Sequence, residues 1–122
     1  METDNYSYTL NILVDDQERK VELSQEMINA ADAVLNKMDH DMNAGWQLAR
    51  QFIENPSVIQ RCQIASNRLL TSLHTGNEAT VSLMSCYIVS RLENVDTVSI
   101  NSEGEDDQTV FYDGTGRMLE QV

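Results

Sequence analysis

The sequence predicts an α+β domain in which N-terminal and C-terminal β-hairpins form one antiparallel sheet, packed on a central block of three to four helices. Apolar residues alternate with polar ones near both ends of the chain and recur every three or four residues between them. Charge follows the same division. Residues 42–95 have a net charge of +1, whereas residues 1–41 and 96–122 have net charges of −7 and −6. The near-neutral centre is suited to packing, and the acidic flanks are suited to solvent.

Residues 7–23 are predicted to form the N-terminal hairpin. Apolar and polar residues alternate through 7–14, a polar turn follows at 15–18, and Val21 and Leu23 resume the alternation. The turn contains no glycine, so the sequence leaves its type and the strand register open. Residues 1–6 are polar and acidic, and we expect them to be disordered.

Residues 24–94 are predicted to form the helical block. Ser24 can cap a helix, and the helical spacing that follows continues as far as Ile53. One long helix, or two helices meeting at Gly45, would satisfy this pattern. Asn55 and Pro56 end the segment, because the residue before a proline disfavours the helical region.

Two more helices are expected in this block. Ser57 and Gln60 have the spacing of a capping box, and Gly76 is suited to the end of the helix that they begin. Asn77 can cap the last helix, which is apolar on nearly every side and should be the most buried element. Residues 95–121 then return to alternation and are predicted to form a β-hairpin or meander, with Asp113-Gly114 as a turn.

Composition limits the class of protein. At 122 residues the chain fits a single domain, 1–122, and its apolar runs are too short to span a membrane. The acidic N-terminus is unlike a secretory signal, and Cys62 and Cys86 are expected to be buried free thiols, so we expect a cytoplasmic protein. The net charge of −12 argues against direct binding to nucleic acid and favours a basic protein partner.

Asp39, His40 and Asp41 form the most conspicuous cluster of side chains that could bind a metal ion. Carboxylates and imidazole are good ligands for divalent cations. Adjacent residues on a helix point about 100° apart, however, so these three would need ligands from elsewhere in the chain. No cofactor is expected, and solvent exposure of this helix face is the simpler interpretation.

Four residues of the central block are candidates for binding a partner or ligand: Trp46, Arg50, Arg61 and Arg68. Guanidinium groups suit carboxylates and phosphates, and tryptophan is common at the centre of interfaces. The simpler interpretation places Trp46 in the core and pairs the arginines with acidic groups of the same chain.

The leading functional hypothesis is a non-enzymatic accessory protein that binds a protein partner and self-associates, as a homodimer formed through the long helix or an edge strand. A second hypothesis is a small-ligand or metal-binding domain, or an enzyme, with its site between sheet and helices. A third is a nucleic-acid mimic, in which carboxylates occupy the phosphate-binding surface of a basic protein.

Overall fold

The computed structural model describes residues 6–119 of the 122-residue chain and confirms the α+β class. Within these residues, three helices lie against a five-stranded sheet, and a small two-stranded sheet follows the first helix. The elements are β1 (Tyr6–Val14), β2 (Gln17–Ser24), α1 (Gln25–Asn43), β3 (Trp46–Leu48), β4 (Gln51–Ile53), α2 (Val58–Thr75), α3 (Glu78–Arg91), β5 (Val95–Ile100), β6 (Val110–Asp113) and β7 (Met118–Leu119).

The structure has an N-terminal hairpin where residues 7–23 predict one. β1 and β2 pair antiparallel up to Val14 and Gln17, which flank a two-residue turn. Asp15 occupies this turn with a φ of 56°, a conformation that aspartate tolerates better than most residues. The turn therefore closes without glycine. Of the segment 1–6 that we expected to be disordered, Tyr6 belongs to β1 and residues 1–5 lie outside the described part of the chain.

The prediction of a fully antiparallel sheet is wrong. The strand order is β2-β1-β5-β6-β7, and the central pair, β1 with β5, is parallel, which makes the sheet mixed. A parallel pair needs a long crossover, and the helical segment supplies one because α3 returns the chain to the end of the sheet where β1 begins. Alternation in the sequence has the same period in parallel and antiparallel strands, so it does not distinguish them.

One face of the five-stranded sheet packs against the helices, and the other face meets solvent. Thr9, Lys20 and Glu22 lie on the open face and are exposed. The covered face contributes these buried side chains to the hydrophobic core: Leu10, Ile12, Val21, Leu23, Val98, Ile100 and Phe111. This arrangement explains the alternation seen in the sequence.

The helix boundaries follow the capping signals. The hydroxyl of Ser24 accepts the Met27 amide at the start of α1, and Ser57 and Gln60 form a reciprocal capping box at the start of α2. Gly76 ends α2 in the left-handed conformation. Buried residues make up six of 14 positions in α3, against seven of 18 in α2 and three of 19 in α1, so α3 is the most buried helix as predicted.

The segment up to Ile53, predicted as one long helix or as two helices meeting at Gly45, is helical only as far as Asn43. Gly45 has a φ of 115° and Ala49 a φ of 55°, and neither conformation is compatible with a right-handed helix. The segment instead forms the β3–β4 hairpin, in which Trp46 pairs with Ile53 and Leu48 with Gln51. The predicted block of three to four helices therefore consists of three helices and this hairpin.

The C-terminal strands lie where alternation predicts them. The carboxylate of Asp113 accepts the backbone amides of Thr115 and Arg117 at 2.9 and 3.0 Å and thereby closes the turn between β6 and β7. Residues 120 and 121, the end of the predicted meander, lie outside the described part of the chain. No helix among residues 6–119 combines the length and apolar character needed to cross a bilayer.

Gly45 offers a test of the turn that ends α1. A Cβ on Gly45 would lie 2.5 Å from the Phe52 ring and 3.1 Å from the Ile53 carbonyl oxygen, in addition to the strain of its positive φ. Gly76 has a φ of 75° with open space around it. We expect Gly45→Ala to lower the free energy of unfolding by about 2 kcal/mol and Gly76→Ala by about 1 kcal/mol, measured by urea denaturation. Equal losses would show that the contact with Phe52 contributes nothing.

Candidate functional site

Asp39 is the centre of a polar network that joins the three helices. The Tyr87 hydroxyl donates to Oδ1 of Asp39 at 2.5 Å, and Nε of Arg91 donates to Oδ2 at 3.0 Å. Nη1 of Arg61 completes the set at 3.3 Å from Oδ1. The Asp39 side chain is 29% exposed, so these bonds form in a partly desolvated environment where ion pairs are stronger than on the surface. The first residue of the metal-binding candidate is thus engaged with cations of the same protein.

Arg61 uses all five of its N–H donors within the chain. Besides the Asp39 carboxylate, it reaches the backbone oxygens of Asp39 and Pro56 at 3.1 and 2.8 Å. Its remaining bonds go to the side-chain oxygens of Asn43 and Asn55, at 2.8 and 2.9 Å. The guanidinium therefore ties the end of α1 and the segment before α2 to α2 itself, which is a structural use of this partner-binding candidate.

The network fixes the protonation states of its acidic members. Partial burial by itself would raise the pKa of Asp39, but hydrogen bonds from Tyr87 and Arg91, with the charge of Arg91, outweigh it and lower this pKa. Burial, followed by the hydrogen bond to Asp39, raises the pKa of Tyr87. At neutral pH the carboxylate is charged and the phenol is neutral, so the observed bonds are the stable arrangement.

His40 and Asp41 do not join Asp39. His40 is exposed, and Asp41 accepts a hydrogen bond from Nζ of Lys37 one helical turn earlier, at 3.0 Å. Their directions differ because neighbouring residues on α1 point to different sides of the helix. Among residues 6–119, no group of three or more histidine, cysteine, aspartate or glutamate side chains is placed to hold a metal ion.

The β3–β4 hairpin carries two of the exposed aromatic side chains whose placement the structure describes. Phe52 is 57% exposed and Trp46 38%, whereas Leu48 is buried and anchors the hairpin to the core. The Phe52 ring lies beside Gly45, which leaves room for it because glycine has no side chain. Trp46 was expected in the core and instead lies at its edge. Exposed aromatic groups on a rigid element are characteristic of protein interfaces.

Arg50 and Arg68 lie near these aromatic residues. The Arg50 side chain is 92% exposed at the hairpin tip, with Nε at 3.3 Å from a carboxylate oxygen of Glu105. Arg68 is exposed on α2 and lines a cavity of about 40 Å³ together with Trp46 and Asp41. The structure thus brings Trp46 and Arg68 together, leaves Arg50 at the hairpin tip and places Arg61 in the Asp39 network.

Two acidic turns meet at one end of the sheet. The Asp15 carboxylate accepts the backbone amide and the hydroxyl of Ser102, at 3.0 and 2.6 Å. The Asp15 amide donates to the Ile100 carbonyl at 2.9 Å. The bonds from Ser102 lower the pKa of Asp15, so its charge persists. The parallel pairing of β1 with β5 is what brings these turns together, and it gives this end of the sheet a negative potential.

The two cysteines are free and buried, as the sequence predicts. Burial raises the pKa of Cys62 to about 12 and also raises the pKa of Cys86. Both sulfurs are therefore thiols at neutral pH, whereas nucleophilic catalysis requires a thiolate. Neither residue has the chemistry of a catalytic nucleophile.

Sequence reasoning misses two residues of these sites. It assigns Tyr87 to the most buried helix without a polar role, and it assigns Phe52 to the inner face of a helix. A signal for Phe52 exists in Arg50-Gln51-Phe52-Ile53-Glu54, where opposite charges flank an aromatic residue symmetrically. No protein family, curated protein or solved structure matches this chain, so the site rests on its own geometry.

Removal of the Asp39 charge should strongly destabilise the fold. Asp39→Asn leaves Arg61 and Arg91 partly buried without a counter-charge, and we expect it to lower the free energy of unfolding by about 3 kcal/mol. Tyr87→Phe removes one hydrogen bond at constant shape and should cost about 1 kcal/mol. Urea denaturation at neutral pH measures both, and a loss under about 1 kcal/mol in Asp39→Asn would contradict the role assigned to the network.

The contribution of Asp39 to the free energy of unfolding should also depend on pH. Because the pKa of Asp39 is lower in the folded state, its stabilisation is complete above the unfolded-state pKa of about 3.9. It is lost as the pH falls below that value and through the folded-state pKa. The difference in unfolding free energy between the wild type and Asp39→Asn should therefore be constant near neutrality and shrink in acid. A difference that stays constant into strong acid would contradict the lowered pKa.

Proposed function

We propose that this chain is a non-catalytic interaction protein that contacts its partner through the hairpin surface, defined as Trp46, Arg50 and Phe52. The observation that carries the proposal is that Phe52 and Trp46 are both exposed, on opposite faces of a hairpin that is anchored by buried Leu48. Tryptophan and arginine are the residues most enriched among those that dominate binding energy, and a rigid support lowers the entropy lost on binding.

The chemistry of Asp39 and of the two cysteines favours an interaction protein over an enzyme. Asp39 is satisfied by Tyr87, Arg61 and Arg91, which leaves it without the raised pKa that a general base at neutral pH needs. The two cysteines are buried thiols. Acid–base catalysis by Asp39 and thiol catalysis by the cysteines therefore find less support than a surface contact.

A cytoplasmic location and a basic protein partner belong to the same proposal. The net charge of −12 repels nucleic acid and anionic membranes and attracts basic proteins. The end of the sheet around Asp15 concentrates part of this charge and would speed the approach of such a partner. The hairpin surface would then supply most of the binding energy, because exposed ion pairs contribute little.

The hairpin surface can be tested by affinity purification from the organism that produces the chain. Trp46→Ala with Phe52→Ser should lower the recovery of each specific partner at least ten-fold. Val34→Ser with Met118→Ser is a matched control, because it changes two exposed apolar residues elsewhere. Partner identity and affinity are then checked by titration with the purified proteins, after circular dichroism shows that each variant is folded. Equal binding by the wild type and the hairpin variant would contradict the proposal.

The salt dependence of binding distinguishes a partner held by the hairpin surface from one held by the acidic end of the sheet. A partner held mainly by the hairpin surface should remain bound when the salt concentration is raised, whereas one held mainly by charge should elute. Complete elution of every partner at high salt would show that the acidic residues, and not the hairpin, carry the interaction.

A further inference from the structure

The free edge of β4 has the properties of a strand that pairs with another strand. Gln51, Phe52 and Ile53 carry no charge, and within residues 6–119 the sheet formed by β3 and β4 has no third strand. The edge strand β2 of the larger sheet differs, since it carries Glu18, Arg19, Lys20 and Glu22. Charges on an edge strand discourage pairing with another chain, and β4 lacks this protection.

The backbone of Phe52 faces this free edge. Leu48 and Gln51 flank the two-residue turn of the hairpin, so they form the hydrogen-bonded pair that closes it. The next pair, Gln47 with Phe52, is then a non-hydrogen-bonded pair. The N–H and C=O groups of Phe52 therefore point away from β3, where an added strand would meet them.

The side chains around Phe52 are complementary to their own copy. In an antiparallel pair related by a two-fold axis at Phe52, each residue faces the residue equally far on the other side of Phe52. Arg50 is the last residue of the hairpin turn and Glu54 follows β4, so the two residues flank the strand. Continued by one residue at each end, this pairing brings Arg50 beside Glu54 of the second copy and Glu54 beside Arg50 of the second copy. Arg50 and Glu54 are both exposed, so they are available for these contacts. Opposite charges directly across a strand pair stabilise it and fix its register.

We propose that two copies of this chain form a homodimer by antiparallel pairing of their β4 strands about a two-fold axis at Phe52. The two Phe52 residues exchange N–H···O=C hydrogen bonds, and two Arg50–Glu54 pairs flank them. This proposal rests on the proposed function, since it names the second copy as one partner of the hairpin surface.

The predicted dimer is weak. A pairing of three residues, with flanking side chains, buries less area than the roughly 1,200 Å² of total surface typical of stable complexes. Arg50 already contacts Glu105 of its own chain, but a guanidinium has donors enough to bond two carboxylates. We therefore expect the chain to dissociate at low micromolar concentration and to dimerise towards the millimolar range.

Sedimentation equilibrium of the full chain, from low micromolar to near-millimolar concentration, tests the dimer. Phe52→Ser should raise the dissociation constant at least ten-fold. Val34→Ser should leave it unchanged, since Val34 is also about half exposed, at 48%, but lies on α1. A wild-type chain that remains strictly monomeric overturns the inference, as does a dimer that Phe52→Ser leaves intact.

Exchanging the charges of Arg50 and Glu54 tests the register of the proposed β4 pairing. Arg50→Glu places two glutamates opposite each other and should weaken the dimer several-fold, and Glu54→Arg should do the same with two arginines. The double variant, Arg50→Glu with Glu54→Arg, restores opposite charges across the axis and should return the dissociation constant to within about three-fold of wild type. A double variant as weak as the single variants overturns the register.

The two proposals can fail separately. A chain that sediments only as a monomer would contradict the homodimer. It would not bear on a loss of partner binding in the variant Trp46→Ala with Phe52→Ser, which tests the proposed function. If instead the dimer forms through β4 but hairpin substitutions leave partner capture unchanged, the self-association stands and the broader interaction role does not. Thermal melting of each variant confirms that a change in assembly is not caused by unfolding.

Discussion

The parallel pairing of β1 with β5 is the contact on which the rest of this structure depends. It joins the first strand of the described chain to β5, the first strand after the helices, and so gives the helices a continuous apolar face to cover. Because the pair is parallel, the turn after β1 and the loop after β5 lie at the same end of the sheet, where Asp15 meets Ser102. The same pairing requires a crossover, which the three helices provide.

The path of the crossover depends on the Asp39 carboxylate and on the change of backbone direction at Gly45. Asp39 binds groups from α2 and α3 and so fixes the end of α1 relative to both. Gly45 then turns the chain out of the helix, and the segment that follows does not join the large sheet. It folds back on itself as a hairpin held by Leu48, and its outer residues remain exposed.

Periodicity and capping residues predict the parts of this fold that depend on local sequence. The strands 7–14 and 95–100, the caps at Ser24 and Ser57 and the stop at Gly76 all follow from contacts within a few residues. The parallel pairing and the Asp39 network join residues far apart in sequence, and local patterns carry no information about such partners. The hairpin was missed because its apolar residues are also three and four apart, and helical spacing alone does not reveal a left-handed φ.

The charge of the chain limits how two copies can meet. A net charge of −12 makes contact between copies unfavourable wherever acids face acids. At β4, a two-fold axis at Arg50 would oppose two arginines, and an axis at Glu54 would oppose two glutamates. Only an axis near Phe52 pairs opposite charges on both sides of an aromatic contact. Exposed ion pairs add little energy, so the Phe52 contact and the backbone bonds stabilise the pair while the charges select its register. For the proposed β4 dimer, the charges of Arg50 and Glu54 thus favour the register centred on Phe52 over these two alternatives.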